Sequence, residues 1–473
     1  MGHRGTARGS RRSGRNAFAT QFGPGLRRAA SAALLALAPF AAEAETLGDA
    51  LAFGYEYSGL LEQNRALLRA ADEDVAQAIA ALRPVVSYAA QASVGAPLGG
   101  LSDYQIDQSL SVSAQMTVYD GGANRLAIDA QKELVLGTRA ALVGVEQDVL
   151  LRIVVAYMEI RRSQQFVSLR QNNVRLITQE LRAAEDRFEV GEVTRTDVSL
   201  AEARLAAARS LLAAEQGGLA QAIGEFRAAV GRAPGDLQPV PLADVPATLE
   251  EARAIALRNH PAIEEAQRNV AATELNIRRA EAAVRPQVTV NGRLSADLEG
   301  NESASLGLNV GGPIYQGGAI ASQVRQVMAR RDAARAGLHV VSDNVAQNVG
   351  IAWTGLEVAR ASDVALAQQV TAATVAFNSI REEATLGART TLDVLNAEQE
   401  LLTARADLIS SQVDETIATY RLLSTMGLLT AEHLGLAVQI YDPAAYYNLV
   451  RTAPSALSEQ GRALDRVLEA IGD

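Results

Sequence analysis

The side chains able to do covalent or metal chemistry are few and scattered. The 473-residue chain has no cysteine and four histidines, His3, His260, His339 and His433. Thiolate ligands, cysteine nucleophiles and disulfides are excluded, and so is a lipid anchor on an N-terminal cysteine. The histidines lack the short spacings of a metal site. Gly311-Gly312 is not followed by the Lys-Ser/Thr pair of a phosphate-binding loop. No nucleophile-base set stands out. The chain is not expected to be an enzyme or to hold a cofactor.

What recurs is carboxylate at a helix start. Thr194-x-x-Asp197 and Thr390-x-x-Asp393 both fit a capping box. There the hydroxyl and the carboxylate satisfy backbone N–H groups that have no helical partner. Negative charge at that end also suits the helix dipole. Each box lies in a longer pattern, Gly191 to Val198 and Gly387 to Val394, offset by 196 residues. Tyr119-Asp120-Gly121-Gly122 and Tyr315-Gln316-Gly317-Gly318 share that offset, as do Gly231 and Gly427. Upstream, Leu47 to Pro84 pairs with Leu249 to Pro286 at an offset of 202. A six-residue insertion in one loop between Pro84 and Tyr119 reconciles the two. The chain is an internal duplication.

The duplicated elements are unusual in length. The run 123–189 has no proline and few glycines. As one helix it reaches roughly 100 Å at 1.5 Å per residue. Ile153, Ile160, Val167, Val174, Leu181 and Phe188 recur every seven residues within it, the mark of coiled-coil packing. The run 319–385 is its counterpart. Shorter helices are expected at 197–230 and 393–426, and others over 47–82 and 249–284, the last interrupted at Asn259-His260-Pro261. A soluble rod accounts for these helices but not for four segments that alternate with period two. Those are expected as strands at about 85–97, 106–118, 287–298 and 303–314. Each is close to the ~9–11 residues of a tilted membrane strand. An apolar face backed by a polar one fits a barrel with lipid outside and water inside. It also fits a half-buried antiparallel sheet. Four strands cannot close a barrel, and open edges in lipid leave backbone groups unpaired. If the strands span a membrane, the chain oligomerises. In Tyr-x-Gly-Gly the paired glycines allow a sharp turn from sheet into helix, and the tyrosine suits a membrane–water boundary.

Residues 1–44 read as an export signal. Arg27-Arg28 precede an apolar stretch, Ala29–Ala42, and Ala42-Glu43-Ala44 fits the cleavage rule. The Arg/Ser/Gly-rich stretch before Arg27 is longer than a signal needs, and an upstream-assigned start accounts for it. Without residues 1–44 the formal charge falls from −10 to about −16, and an acidic body argues against nucleic-acid binding. The expected organisation is a first repeat over 45–230, a proline-rich join over 231–248, a second repeat over 249–427 and a C-terminal segment over 428–473.

Taken in order, the duplicated Tyr-x-Gly-Gly and the duplicated Gly-x-x-x-x-x-Asp-Val resemble the TolC family of outer-membrane efflux and secretion channels. The resemblance covers about Leu47 to Leu429. It implies a mostly α fold with transmembrane β. Three copies would form a 12-stranded β-barrel continued by a long α-helical barrel, with the join and the C-terminal segment as a girdle. It implies an outer-membrane duct with a long periplasmic extension. Its partners would be outer-membrane lipid, a periplasmic adaptor and an inner-membrane ABC or RND transporter. It also implies that Asp197, Arg389 and Asp393 close the far periplasmic tip, where rings of aspartate attract cations. Asn396 stands where the family often has an aspartate, and Ala384 where a gating tyrosine can occur. The alternative is a periplasmic coiled-coil adaptor, whose single helical hairpin does not account for two duplicated halves.

Overall fold

A computed structural model describes residues 45–95, 105–297 and 299–472. The expected signal, 1–44, lies outside the described residues, as do 96–97 and 298 at the ends of two expected strands. The first repeat runs α1 (Leu47–Tyr57), α2 (Gly59–Ala80), β1 (Val85–Gly95), β2 (Gln105–Tyr119), α3 (Ala123–Glu189) and α4 (Arg195–Val230). The second runs α5 (Leu249–Asn259), α6 (Pro261–Ala282), β3 (Gln287–Asp297), β4 (Glu302–Gly311), α7 (Ala319–Thr385) and α8 (Thr391–Thr425). Two short helices follow, α9 (Ala445–Val450) and α10 (Glu459–Gly472).

The helix expected over 47–82 is broken. Ser58, in extended backbone, ends α1 and caps α2 by accepting a hydrogen bond from Leu61 N at 3.3 Å. His260 does the same between α5 and α6, accepting from Ala262 N at 3.2 Å, with Pro261 at the first helical position. Pro261 announces the second break because it lacks an N–H. A serine announces nothing so direct, and only the 202-residue offset between Ser58 and His260 betrays the first.

The seven-residue seam is kept only in part, with Val174 and Leu181 packed against Ile177 and Leu205. Ile153 and Ile160 are fully buried, but Phe188 is 39% exposed. Beyond Ile160 the buried positions become Leu169, Asn173, Ile177, Glu180 and Ala184. A 3.6-residue helix drifts roughly 20° per heptad from a strict seven-residue line. That drift is too small to carry the stripe from Ile160 to Leu169, about half a turn round the helix; the stripe moves because the helices packed on α3 change along its length.

The core sits midway along the long helices. Leu150, Ile153, Val154, Tyr157 and Ile160 of α3 pack there against α1, Phe226 and Val230 of α4, Val349 and Leu356 of α7, and Leu422 and Met426. The join between repeats is pinned onto it. The buried Tyr157 hydroxyl lies 2.8 Å from both Glu45 O and Gln238 O. Glu45 accepts from Arg232 at 2.8 Å and from Gly235 N at 2.6 Å. The C-terminal segment is held by Ala431 N donating to Glu146 Oε1 at 2.7 Å. Tyr446 and Val450 then pack on Ala76 of α2.

Candidate functional site

The four strands form one antiparallel sheet in the order β1-β2-β3-β4, so β1 and β4 are its edges. Its register sorts the side chains by chemistry. Val86 pairs with Ala114, Tyr88 with Val112, Val290 with Leu308 and Val288 with Val310 on one face. Ser87 pairs with Ser113, Gln91 with Ser109, Thr289 with Asn309 and Arg293 with Ser305 on the other. Polar contacts knit the second face: Ser87 to Ser113 at 2.9 Å, Ser295 to Ser303 at 2.7 Å and Asn309 to Asn291 at 2.7 Å. The apolar face has no cover in the single chain. Tyr88 is 83% exposed and Leu306 84%. β4 stops at Gly311, short of the expected 314. Pro313 has no N–H for the ladder.

Both strand-to-helix turns are built on glycine. Gly121 and Gly122 have φ of 69° and 89°, and Gly317 and Gly318 of 60° and 86°, angles that side chains with a Cβ disfavour. A Cβ on Gly121 would also meet Arg285 at 2.7 Å. The tyrosines before them, Tyr119 and Tyr315, are exposed. The turns differ in one residue. Asp120 accepts from Gly122 N at 2.9 Å and Asn124 N at 2.7 Å. Its counterpart is the uncharged Gln316.

At the opposite ends of the long helices, Gly191 and Gly387 turn the chain with φ of 80° and 79°. Both capping boxes form. Asp197 accepts from Thr194 N at 2.9 Å and Thr194 Oγ1 at 2.7 Å. Asp393 accepts from Thr390 N at 3.0 Å and Thr390 Oγ1 at 2.8 Å. The Thr194 hydroxyl, then its N–H, holds Asp197 below the usual carboxylate range. For Asp393 the Thr390 N–H leads, followed by the hydroxyl and the charge of Arg389. Both carboxylates are half-buried anions at neutral pH.

Arg389 does not bridge to either aspartate. Its Nε donates to Glu383 Oε2 at 2.7 Å, across the α7–α8 turn. Asn396 accepts from Arg204 of α4 at 3.4 Å, joining the two tips. Ala384 packs in a small apolar cluster with Phe377, Val394, Ala397 and Leu401. Above it, Asn173 Nδ2 donates to the buried Glu398 Oε1 at 2.6 Å, and Arg381 lies 3.4 Å from Glu180. Burial pushes the Glu398 carboxyl up to about 7; Asn173 and Arg381 oppose the rise and Glu180 adds to it. Glu383, Arg204, Asn173 and Glu398 carry no local sequence signal. They meet only through the turn or across helices.

Comparison with known proteins agrees with this plan. The family described as "Outer membrane efflux protein" matches residues 58–232 and 253–428, one block in each repeat. The outer membrane efflux protein BepC of Brucella suis is 34% identical over 87% of this chain and 91% of its own length. The alkaline protease secretion protein AprF of Pseudomonas aeruginosa is 24% identical over 61% of this chain and 63% of its own. Among solved structures, CusC superposes with a TM-score of 0.74 at 18% identity, over 80% of this chain and 91% of that one. VceC of Vibrio cholerae gives 0.70 at 20% identity, over 80% and 96%. The adaptor alternative falls, because the match takes in both halves. This chain belongs to the outer membrane efflux protein family.

Proposed function

We propose that three copies of this chain close into one continuous exit duct through the outer membrane. Each copy contributes four strands to a 12-stranded barrel and its long helices to a periplasmic tunnel. One observation carries this reading: an antiparallel sheet with two open edges and a bare apolar face, mounted on two 67-residue helices. A lone sheet of this kind leaves backbone groups unpaired in lipid, whereas edge-to-edge closure satisfies them all. The polar face then lines water.

The duct is passive, and an inner-membrane ABC or RND transporter with a periplasmic adaptor supplies energy and cargo. The efflux protein BepC matches more of the chain, and at higher identity, than the alkaline protease secretion protein AprF, which favours efflux over protein secretion. Asp197 and Asp393, three copies of each, ring the periplasmic mouth and attract cations there. Asp197, Arg389 and Asp393 close the tip across neighbouring helices, beside the Arg389–Glu383 pair, the Arg204–Asn396 contact and the Ala384 cluster of the single chain. In planar bilayers, the Asp197→Ala/Asp393→Ala variant is expected to lose block by divalent cations and to conduct better. Unchanged conductance and unchanged cation block would leave these aspartates as helix caps alone.

A further inference from the structure

The polar face of the sheet opens, at its helix end, into a cavity of about 910 Å³ bounded by the starts of α3 and α7 and the end of α6. Gln287 and Gly311, cross-strand partners on the polar face, form its roof. Three arginines line it: Arg279, Arg285 and Arg330. Among the described residues none of the three is paired with a carboxylate. Nearby acids are engaged or turned away. Glu274 is held by Arg335 and Asp332 by Arg331. Glu281 is two residues from Arg279, which puts it on another side of α6. Asp120 is the one carboxylate in the lining, and both its oxygens are taken by the N–H groups of its own turn. The second repeat adds no carboxylate, because Gln316 stands where the first has Asp120. Arg285 has a structural task, donating to Gly121 O at 2.7 Å. Arg279 and Arg330 have no hydrogen-bond partner of this kind among the described residues.

We propose that this arginine-lined cavity is a binding site for polyanionic solutes, those carrying several phosphate or carboxylate groups, at the junction of barrel and tunnel. Guanidinium forks match phosphate and carboxylate oxygens two at a time. A concave cavity whose three arginines outnumber its one carboxylate, Asp120, concentrates anions further. The site lies at the opposite end of the long helices from the aspartate tips, so the duct presents opposite charge at its two ends. The inference rests on the duct reading for its place in the lumen, but not for the binding itself.

Two measurements separate these. Isothermal titration of the detergent-purified protein with inositol hexakisphosphate needs no channel. Binding is expected for the native protein, with affinity reduced about tenfold or more by Arg279→Ala/Arg330→Ala, and no binding of uncharged inositol. Arg285 is left intact because it supports the turn. In planar bilayers, inositol hexakisphosphate added on the barrel side is expected to block current. The block should weaken in the double variant and between 0.1 and 1 M salt, as the Debye length shrinks from about 10 to 3 Å. Equal binding by native and variant protein, or none by the native, overturns the site. Variant-sensitive binding in a protein that forms no channel keeps the site and overturns the duct.

Discussion

α3 and α7 are copies of one helix. Each has 67 residues, yet 19 residues of α3 are buried and only eight of α7. α3 runs through the middle of its own chain, packed by α1, α2, α4, α6 and α8. α7 lies at the side, packed by α5, α6 and α8. Its uncovered face carries Val340, Ile351 and Val358, all more than half exposed and spaced 11 and 7 residues apart, one line along a helix. The first-repeat counterpart of Val358 is Arg162, which pairs with Asp414 and Glu159. Duplication made two equal helices. Divergence turned one into a core and left the other with a bare face, which closure of three copies, as proposed, would cover.

That contrast is broken most directly by placing a charge on each helix. Ile153→Asp puts an unpaired carboxylate in the core of α3 and should cost upwards of about 3 kcal/mol, abolishing the folded chain. Val358→Asp should leave circular dichroism and the thermal transition of the single chain intact while dissociating the oligomer, read by light scattering after gel filtration. If both variants merely unfold, α7 is core after all.

A smaller contrast lies at the pinned join. Tyr157→Phe removes the single hydroxyl proton that the Glu45 and Gln238 carbonyls share and should cost about 1–3 kcal/mol in denaturant unfolding. Its counterpart, the half-buried Trp353, has no such duty, and Trp353→Phe should cost less.

At the tip, the buried Glu398 belongs to α8 and has no buried acidic counterpart in α4, where Glu202 is exposed. The folded Glu398 carboxyl titrates near 7, above the ordinary glutamate value of 4.5. Its contribution to stability is therefore full below about pH 4.5 and is lost as pH rises through about 7. Glu398→Gln should flatten that dependence and raise the melting midpoint at pH 8 by about 2–4 °C. An unchanged slope between pH 5 and 8 would assign the titration elsewhere. The smallest effect is expected at the helix break: Ser58→Ala should cost about 1 kcal/mol, measurable by chemical denaturation.

The strands were legible in the sequence because their signal is local, period two over about ten residues. The capping boxes were legible for the same reason, since Thr194 and Asp197 lie three residues apart. The migrating seam of α3 was not, because burial past Ile160 depends on which helix lies opposite. Nor were the tip contacts. Asn173 and Glu398 are 225 residues apart in the chain, and Arg389 finds Glu383 only once the turn at Gly387 has formed. The arginine cavity was equally hidden, because its three guanidiniums come from α6, the link to β3 and α7.

If three copies close the duct as proposed, a single chain is one third of a channel. Native mass spectrometry of the protein extracted from outer membranes in mild detergent tests it most directly. A complex of three chains is expected, and Val358→Asp should dissociate it. A native protein that flies as one chain, with its sheet edges open, would contradict it.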